Sequence, residues 1–427
     1  MNKELNRQIA PEYHQITKIN IPTDECGFLA NKIPYHVLSG GSQEIVVVEL
    51  LFNAGITYSS QLLVASTANT MLVSGTRNHT AQQIAETFDF YGADLRTDSN
   101  FDHASISLFC LNKYLDKLLP LFCEVVEESV FPETELTTVM TERKHKFIVN
   151  QTKTAFLANN AMYKMMFGSH PYGRRAELAD YDLVTSDILQ KFHAAHYCAA
   201  NCRLMVAGYV TSQVMQTIED TIGQMKTGTK TSLKETLFEP IGSNKTQIIK
   251  REDAVQSSLR MGLRTIKMDH PDYHKLNMLT MVLGGYFGSR LMTNIRKEKG
   301  YTYGIYSRLN PQAQSGMLCV YGDIKSGHSL QVANEVRKEM QKLKDEPISD
   351  TEMALVRNYM MGELLQIFDG PFNSFEAVSR AVDLSSGIKY FDDEQACILN
   401  TQPADLQEIA NQYFDLDNMV TAIAGNE

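Results

Sequence analysis

The order of strand-like and helix-like segments in the first half of this chain recurs in the second half, and this repetition limits the possible folds more than any single segment does. A strand pattern at Ile45–Phe52 returns at Ser257–Leu263, and a helical pattern at Leu62–Thr76 returns at Tyr273–Leu283. Alternating segments at Asp94–Asp98 and His103–Cys110 return at Tyr303–Leu309 and Met317–Ile324. Each pair is followed by an amphipathic helix, and Pro132-Glu-Thr-Glu-Leu is then echoed by Pro347-Ile-Ser-Asp-Thr-Glu. Two copies of one α+β domain, related by duplication, account for the pattern. A length of 427 residues agrees with two units of about 200 each. Residues 223–246 are polar and punctuated by Gly and Pro, so domains are expected at 1–222 and 247–427 with a linker between them.

Within the first copy, residues 1–30 read as an arm ahead of the first strand. Tyr35–Leu38, a turn at Gly40-Gly41-Ser42, and Glu44–Phe52 read as a hairpin of two buried strands. Thr80 and Gln83 form a capping box that opens a helix with Ile84, Phe88 and Tyr91 on one face and Gly92 at its end. A helix over Lys113–Ser129 precedes a long one that starts near Glu133 and carries Glu142. Ser349 and Glu352 form a second capping box in the later copy.

A net charge of −10 argues against a nucleic-acid or anionic-membrane partner. The seven cysteines are scattered, mostly inside apolar runs, and read as buried free thiols of a reducing compartment. Met1-Asn-Lys-Glu-Leu-Asn-Arg-Gln lacks the apolar core of a signal peptide, and no run approaches the ~20 apolar residues of a membrane span. A cytoplasmic location is expected, or a periplasmic one if a leader has been removed.

The stretch Leu62–Thr76 is notable for what it lacks. Leu62, Ala65, Ala68 or Asn69, and Leu72 recur at helical spacing, and Gly75 can stop the helix. Its Met71-Leu-Val-Ser-Gly-Thr76 ending resembles the first active-site helix of the pitrilysin/insulinase family of zinc peptidases, where His-x-x-Glu-His precedes Met-Leu-Phe-x-Gly-Thr. Aligned from the shared Gly-Thr, the two ligand histidines fall on Ser66 and Thr70, and the general-base glutamate falls on Asn69. The third ligand of the family, a glutamate, falls on Ile148 or Val149, with Glu142 about two turns too early. Hydroxyls and amides are poor zinc ligands, so the resemblance implies no metal of this chain's own.

The likeness extends over most of the chain. It is carried by His170-Pro-Tyr-Gly, Phe192-His-x-x-x-Tyr197, Val206-Ala-Gly, Leu283-Gly-Gly, Ser289-Arg-Leu and Arg296-Lys-Glu-Lys-Gly-x-x-Tyr303. It implies two LuxS/metallopeptidase-like halves, each an antiparallel sheet of about six strands covered by helices on one face. It also implies a non-catalytic subunit that binds peptide and lends Arg296 and Tyr303 to the zinc site of a homologous partner. Zinc is then expected only in that partner. The alternative is a homodimeric peptide-binding or scaffold protein without a role in hydrolysis.

Other segments admit simpler readings. His193 and His196 lie three apart near Cys198 and Cys202, but a third ligand is not defined, so packing explains them better. Gly284-Gly-Tyr-Phe-Gly-Ser lacks the Gly-Lys-Ser/Thr ending of a phosphate loop and reads as a bend toward Arg296. Ser66 has no His/Asp company for a serine nucleophile. The Asp94–Asn100 strand could present an open edge to an extended peptide, or be shielded by its own charges.

Overall fold

The computed structural model describes residues 16–427 except Asn244. In the first half, strands β1 (Glu25–Phe28), β2 (Pro34–Ser39) and β3 (Ile45–Phe52) lead to helices α1 (Val64–Thr70) and α2 (Ala81–Phe90). Strands β4 (Asp94–Ser99) and β5 (Ala104–Leu111) follow, and then α3 (Leu115–Glu127), α4 (Glu133–Asn150), α5 (Thr154–Phe167) and α6 (Ser186–His196). Strand β6 (Cys202–Gly208) and helix α7 (Ser212–Thr221) close this half.

The second half runs through β7 (Thr246–Lys250), β8 (Gln256–Thr265), α8 (Tyr273–Thr280), β9 (Thr302–Pro311) and β10 (Gly316–Lys325). Helices α9 (Ser329–Asp345), α10 (Asp350–Ile367), α11 (Pro371–Leu384), α12 (Lys389–Asn400) and α13 (Pro403–Tyr413) precede the last strand, β11 (Val420–Gly425).

The strand orders are β1-β2-β6-β3-β5-β4 and β7-β11-β8-β10-β9. Apart from β1, the two orders are superimposable, as duplication requires. Both sheets are mostly antiparallel, with one parallel pair each, β2–β6 and β7–β11. The expected hairpin of Tyr35–Phe52 does not form, because the mostly apolar β6 lies between its two strands and pairs with both. The arm expected over residues 1–30 is also corrected, since β1 lies within it and pairs with β2; residues 1–15 lie outside the described residues. The Thr80–Gln83 capping box is present. At Ser349 only half of one forms, because the Glu352 carboxylate is held instead by Arg290 at 2.8 and 2.9 Å.

Helices cover more than the one face expected of each sheet. On β8, Leu259, Met261 and Leu263 point into the core shared with α8, α9 and α10, while Ser258 and Gly262 face the other way. That second face is covered by α5 of the first half, through Ala158, Met162, Met166 and Phe167 against Met317, Val420 and Ala422. A side chain at Gly262 would stand 2.2 Å from Met166 Sδ, so anything larger than glycine would have to push the α5 methionines aside. The converse holds in the first sheet: Leu38, Val47, Met205 and Ala207 pack against Phe375, Val378 and Ala381 of α11. Each half therefore lends one helix to the other half's sheet. The stretch 225–243, without helix or strand, is pinned to the first half by Phe238 stacked on His170 at 4.4 Å and by Ser169 bonded to Glu239.

Polar contacts lock this exchange. Asp383 of α11 pairs with His103 at 2.7 Å and with Arg203 on β6. Burial alone would raise its pKa, but the hydrogen bond to His103 and the Arg203 guanidinium hold it below the usual aspartate range. Ser379 of α11 and Ser107 of β5 both donate to the buried Glu49, whose pKa is pushed up by desolvation. Tyr172 of the His-Pro-Tyr-Gly motif donates to Asp102 at 2.8 Å and accepts from the Gln314 amide, which joins that motif to the β9–β10 turn. Between the halves lies a cavity of about 480 Å³ lined by Glu49, Asp98, Asp102, Asp383, Arg308 and Arg380 among others.

Removing one member of a largely buried ion pair strands its partners. Asp383→Ala is expected to lower the unfolding free energy by about 3 kcal/mol at neutral pH, measured in urea. Because the folded-state pKa is depressed, this contribution is complete above the ordinary aspartate value and disappears as pH falls through the depressed one. The gap between wild type and variant should therefore narrow in acid.

Candidate functional site

The site is built on α1 and α4. Leu63 enters α1 in a left-handed conformation (φ 69°), and a 3₁₀ turn over Met71–Ser74 carries the helix to Gly75 (φ 133°). The regular helix is thus shorter than Leu62–Thr76, but it still holds Ser66, Asn69 and Thr70. Asn69 is only 1% exposed. Its Nδ2 donates to the carbonyls of Asp98 (2.6 Å) and Ser105 (3.2 Å), and its Oδ1 accepts from the Tyr197 hydroxyl (3.1 Å). The amide fastens α1 to β4 and β5. Thr70 Oγ1 donates to the Ser66 carbonyl, and Ser66 Oγ donates to the Leu63 carbonyl.

The arginine of the Glu142-Arg143 pair, with which the family's third-ligand pattern begins and to which the sequence reading assigns no role, completes this surface. Arg143 reaches from α4 and donates to Thr67 Oγ1 and Ser66 Oγ, both at 2.7 Å. Burial pushes its pKa below the usual arginine value, although a guanidinium remains charged. The signal for it lay in the helix period. Leu136, Met140, Arg143 and Phe147 share one stripe of α4, and the first two are core residues.

The same period corrects the assignment of the third ligand position. Ile148 and Val149 are 49% and 56% exposed, and Glu142 is exposed too. The face of α4 that lines the cavity beside α1 carries Arg143, Lys146, Phe147 and Asn150. A zinc site needs neutral imidazole, thiolate or carboxylate donors around one point. Here the motif positions offer engaged hydroxyls, an amide committed to backbone carbonyls, and a guanidinium that would repel a dication. The residues present do not fit zinc.

His193 and His196 do not converge. His193 Nε2 bonds to the Val126 carbonyl at 2.6 Å, while His196 Nδ1 bonds to the Asn53 carbonyl at 3.1 Å. Both rings are packed against aromatic neighbours. Among the described residues one other ligand-type set is close together: Asp24, Cys26 and His36, at the far edge of the first sheet from β4. Asp24 Oδ2 accepts from both the Cys26 thiol and His36 Nδ1, so this set is closed by its own hydrogen bonds.

Arg296 lies near the end of the helical segment Met292–Glu298, and Tyr303 lies at the start of β9. The bend before that segment follows Gly284, where a side chain would stand 2.7 Å from the Ser307 amide nitrogen. Asn294 fixes the segment to α9 by donating to Glu339 at 2.6 Å. Lys299 does the same through Glu335, whose pKa is lowered to about 2 by Lys299 and Lys338. Arg296 rests its guanidinium 4.6 Å from the centre of the Phe287 ring, and that ring is 58% exposed. Neither Arg296 nor Tyr303 lines the cavity beside α1 or the one between the halves.

Two duplicated, mostly antiparallel sheets with a His-x-x-Glu-His helix stripped of its ligands define a zinc-metallopeptidase scaffold without its metal motif. Residues 40–177 match the insulinase family (peptidase family M16), residues 184–360 match the peptidase M16 inactive domain, and the chain belongs to family M16 as a homologue of the inactive type. An uncharacterized zinc protease of Rickettsia felis is 23% identical over 90% of this chain and 93% of its own. A Helicobacter pylori protein described as a non-peptidase homolog is 22% identical over 74% of each chain. Among solved structures, a peptidase M16 inactive domain from Pseudomonas fluorescens superposes with a TM-score of 0.87 at 21% identity, covering 95% of this chain and 98% of that one. At that identity the likeness establishes the fold.

Arg143 has no carboxylate partner among the described residues, so its charge adds little to folding. Arg143→Met is expected to change the unfolding free energy by less than about 1 kcal/mol, or to raise it. A loss above about 2 kcal/mol in urea titrations would make the residue structural.

Proposed function

We propose that this protein is the non-catalytic subunit of a heterodimeric metallopeptidase, binding peptide and supplying Arg296 and Tyr303 to a homologous subunit that carries the zinc motif. The observation that carries this reading is the condition of the pair. Tyr303 is 87% exposed, and neither side chain has a hydrogen bond or ion pair among the described residues. The Phe287 ring steadies the guanidinium from one side without using its N–H donors. Gly322 pairs with Ile305 but Ile324 pairs with Thr302, so Tyr303 and Gly304 oppose Asp323 alone in a β-bulge. Bulges re-aim side chains at the rim of a sheet, and β9 is an edge strand.

The chemistry suits such a role. A guanidinium offers paired donors to a peptide's carbonyl oxygens or terminus, and a phenol donates a hydrogen bond to an oxygen as negative charge builds on it. With its motif helix occupied by Ser66, Asn69 and Thr70, this chain can bind and orient a peptide but offers neither a metal nor a base to cut it.

Mixed with a homologue bearing His-x-x-Glu-His, the protein should accelerate cleavage of a fluorogenic peptide. Arg296→Ala should reduce that rate by about 10²-fold and Tyr303→Phe by about 10-fold. A mixture no faster than the zinc-bearing subunit alone would defeat the proposal. A stable homodimer that ignores such partners would assign the scaffold role instead.

A further inference from the structure

We propose that the pocket beside the degenerate motif is a carboxylate-binding site, which takes the carboxylate of an extended peptide lying against β4. The pocket has a volume of about 570 Å³, and its walls include Ser66 and Thr70 of α1, Thr97 and Asp98 of β4, and Arg143 and Lys146 of α4. Arg175 lines it as well, held at 2.9 Å to the Tyr172 carbonyl and 4.4 Å from the centre of the Tyr163 ring. Three cationic residues line the pocket, and Asp98 is the one acidic residue among those lining it. None of the three forms an ion pair among the described residues.

A guanidinium taken out of water without a counter-ion is costly, and two hydroxyl acceptors do not neutralise it. Arg143 has five N–H donors, of which two are committed to Thr67 and Ser66. The planar fork that remains matches a carboxylate. The pocket beside the degenerate motif is therefore cationic without a metal, its charge supplied by Arg143, Lys146 and Arg175.

The position of the pocket identifies the occupant as chain-like. β4 ends its sheet, so its outer edge is open to an added strand. Asp98 of β4 borders both this pocket and the cavity between the halves. A peptide added along the β4 edge would bring either its terminal carboxylate or an acidic side chain to Arg143.

This inference does not depend on a zinc-bearing partner, and its test needs none. Three fluorescein-labelled peptides of one sequence, Ala-Leu-Ala-Phe-Ala-Leu-Ala, separate the sources: one with a free C-terminus, one amidated, and one amidated with glutamate in place of the central Phe. Fluorescence anisotropy should show at least one carboxylate form binding the intact protein ten-fold or more tighter than the neutral amide. The free-terminus form alone would identify the α-carboxylate, and the glutamate form alone an acidic side chain. Arg143→Met should abolish the preference. Lys146→Gln, a change at an exposed position that leaves the core intact, should reduce it about three-fold. Equal binding of all three peptides, no binding up to millimolar concentration, or a preference that survives Arg143→Met would overturn the proposal. So would displacement by inorganic phosphate at the concentration where acetate also displaces, since that describes a pocket for any anion.

Discussion

A sheet whose strands alternate apolar side chains on both faces must be covered twice, and the helices that follow each strand pair in this protein cover only one face. The second face of each sheet is closed by a helix from the other half, α5 over β8 and β11, and α11 over β6 and β2. Each buried Met or Phe in such a contact is worth on the order of 2 kcal/mol. Several per helix make the two halves one folding problem. The ion pairs of Asp383 and the hydrogen bonds of Glu49 and Asp102 sit at the edges of this exchange, where they fix its register. The cavity between the halves, and the β4 edge beside it, exist because the exchanged helices hold the sheets at a set separation.

Against that frame the degenerate motif is well ordered. Asn69, at the position of the family's general base, donates to β4 and β5 and accepts from Tyr197, and the two donated bonds are ones that a carboxylate at neutral pH could not make because it donates nothing. Arg143 occupies the surface over Ser66 and Thr67 with a permanent charge. Loss of the metal has therefore been accompanied by a rebuilt hydrogen-bond network. The polarity of the site is retained by other means.

The exposed groups are disposed differently. Arg296 and Tyr303 lie on the second half, at a helix end tied down by Asn294 and Lys299 and at a bulge in an edge strand. The segments that carry them are tied down, while neither side chain has a hydrogen bond or ion pair among the described residues. Ser66, Asn69 and Thr70, in contrast, are engaged in hydrogen bonds of the fold itself.

Much of the fold was legible because it depends on local periodicity. Repeated strand and helix patterns gave the duplication, and Thr80, Gln83 and Gly92 gave the limits of α2. The insertion of β6 between β2 and β3 could not be read, since a short turn between apolar strands carries no mark of a third strand returning from 150 residues away. The helix exchange was invisible for the same reason: a stripe of Ala and Met on α5 states that a face is buried but not against which sheet. At the site, the sequence by itself determined that no zinc ligand stands on the motif helix, because ligand chemistry is a property of residue type. Only the tertiary structure decided that Arg143, 77 residues beyond Ser66, would meet it at 2.7 Å, because that contact depends on the angle at which α4 crosses α1 and on which face of its turn points inward.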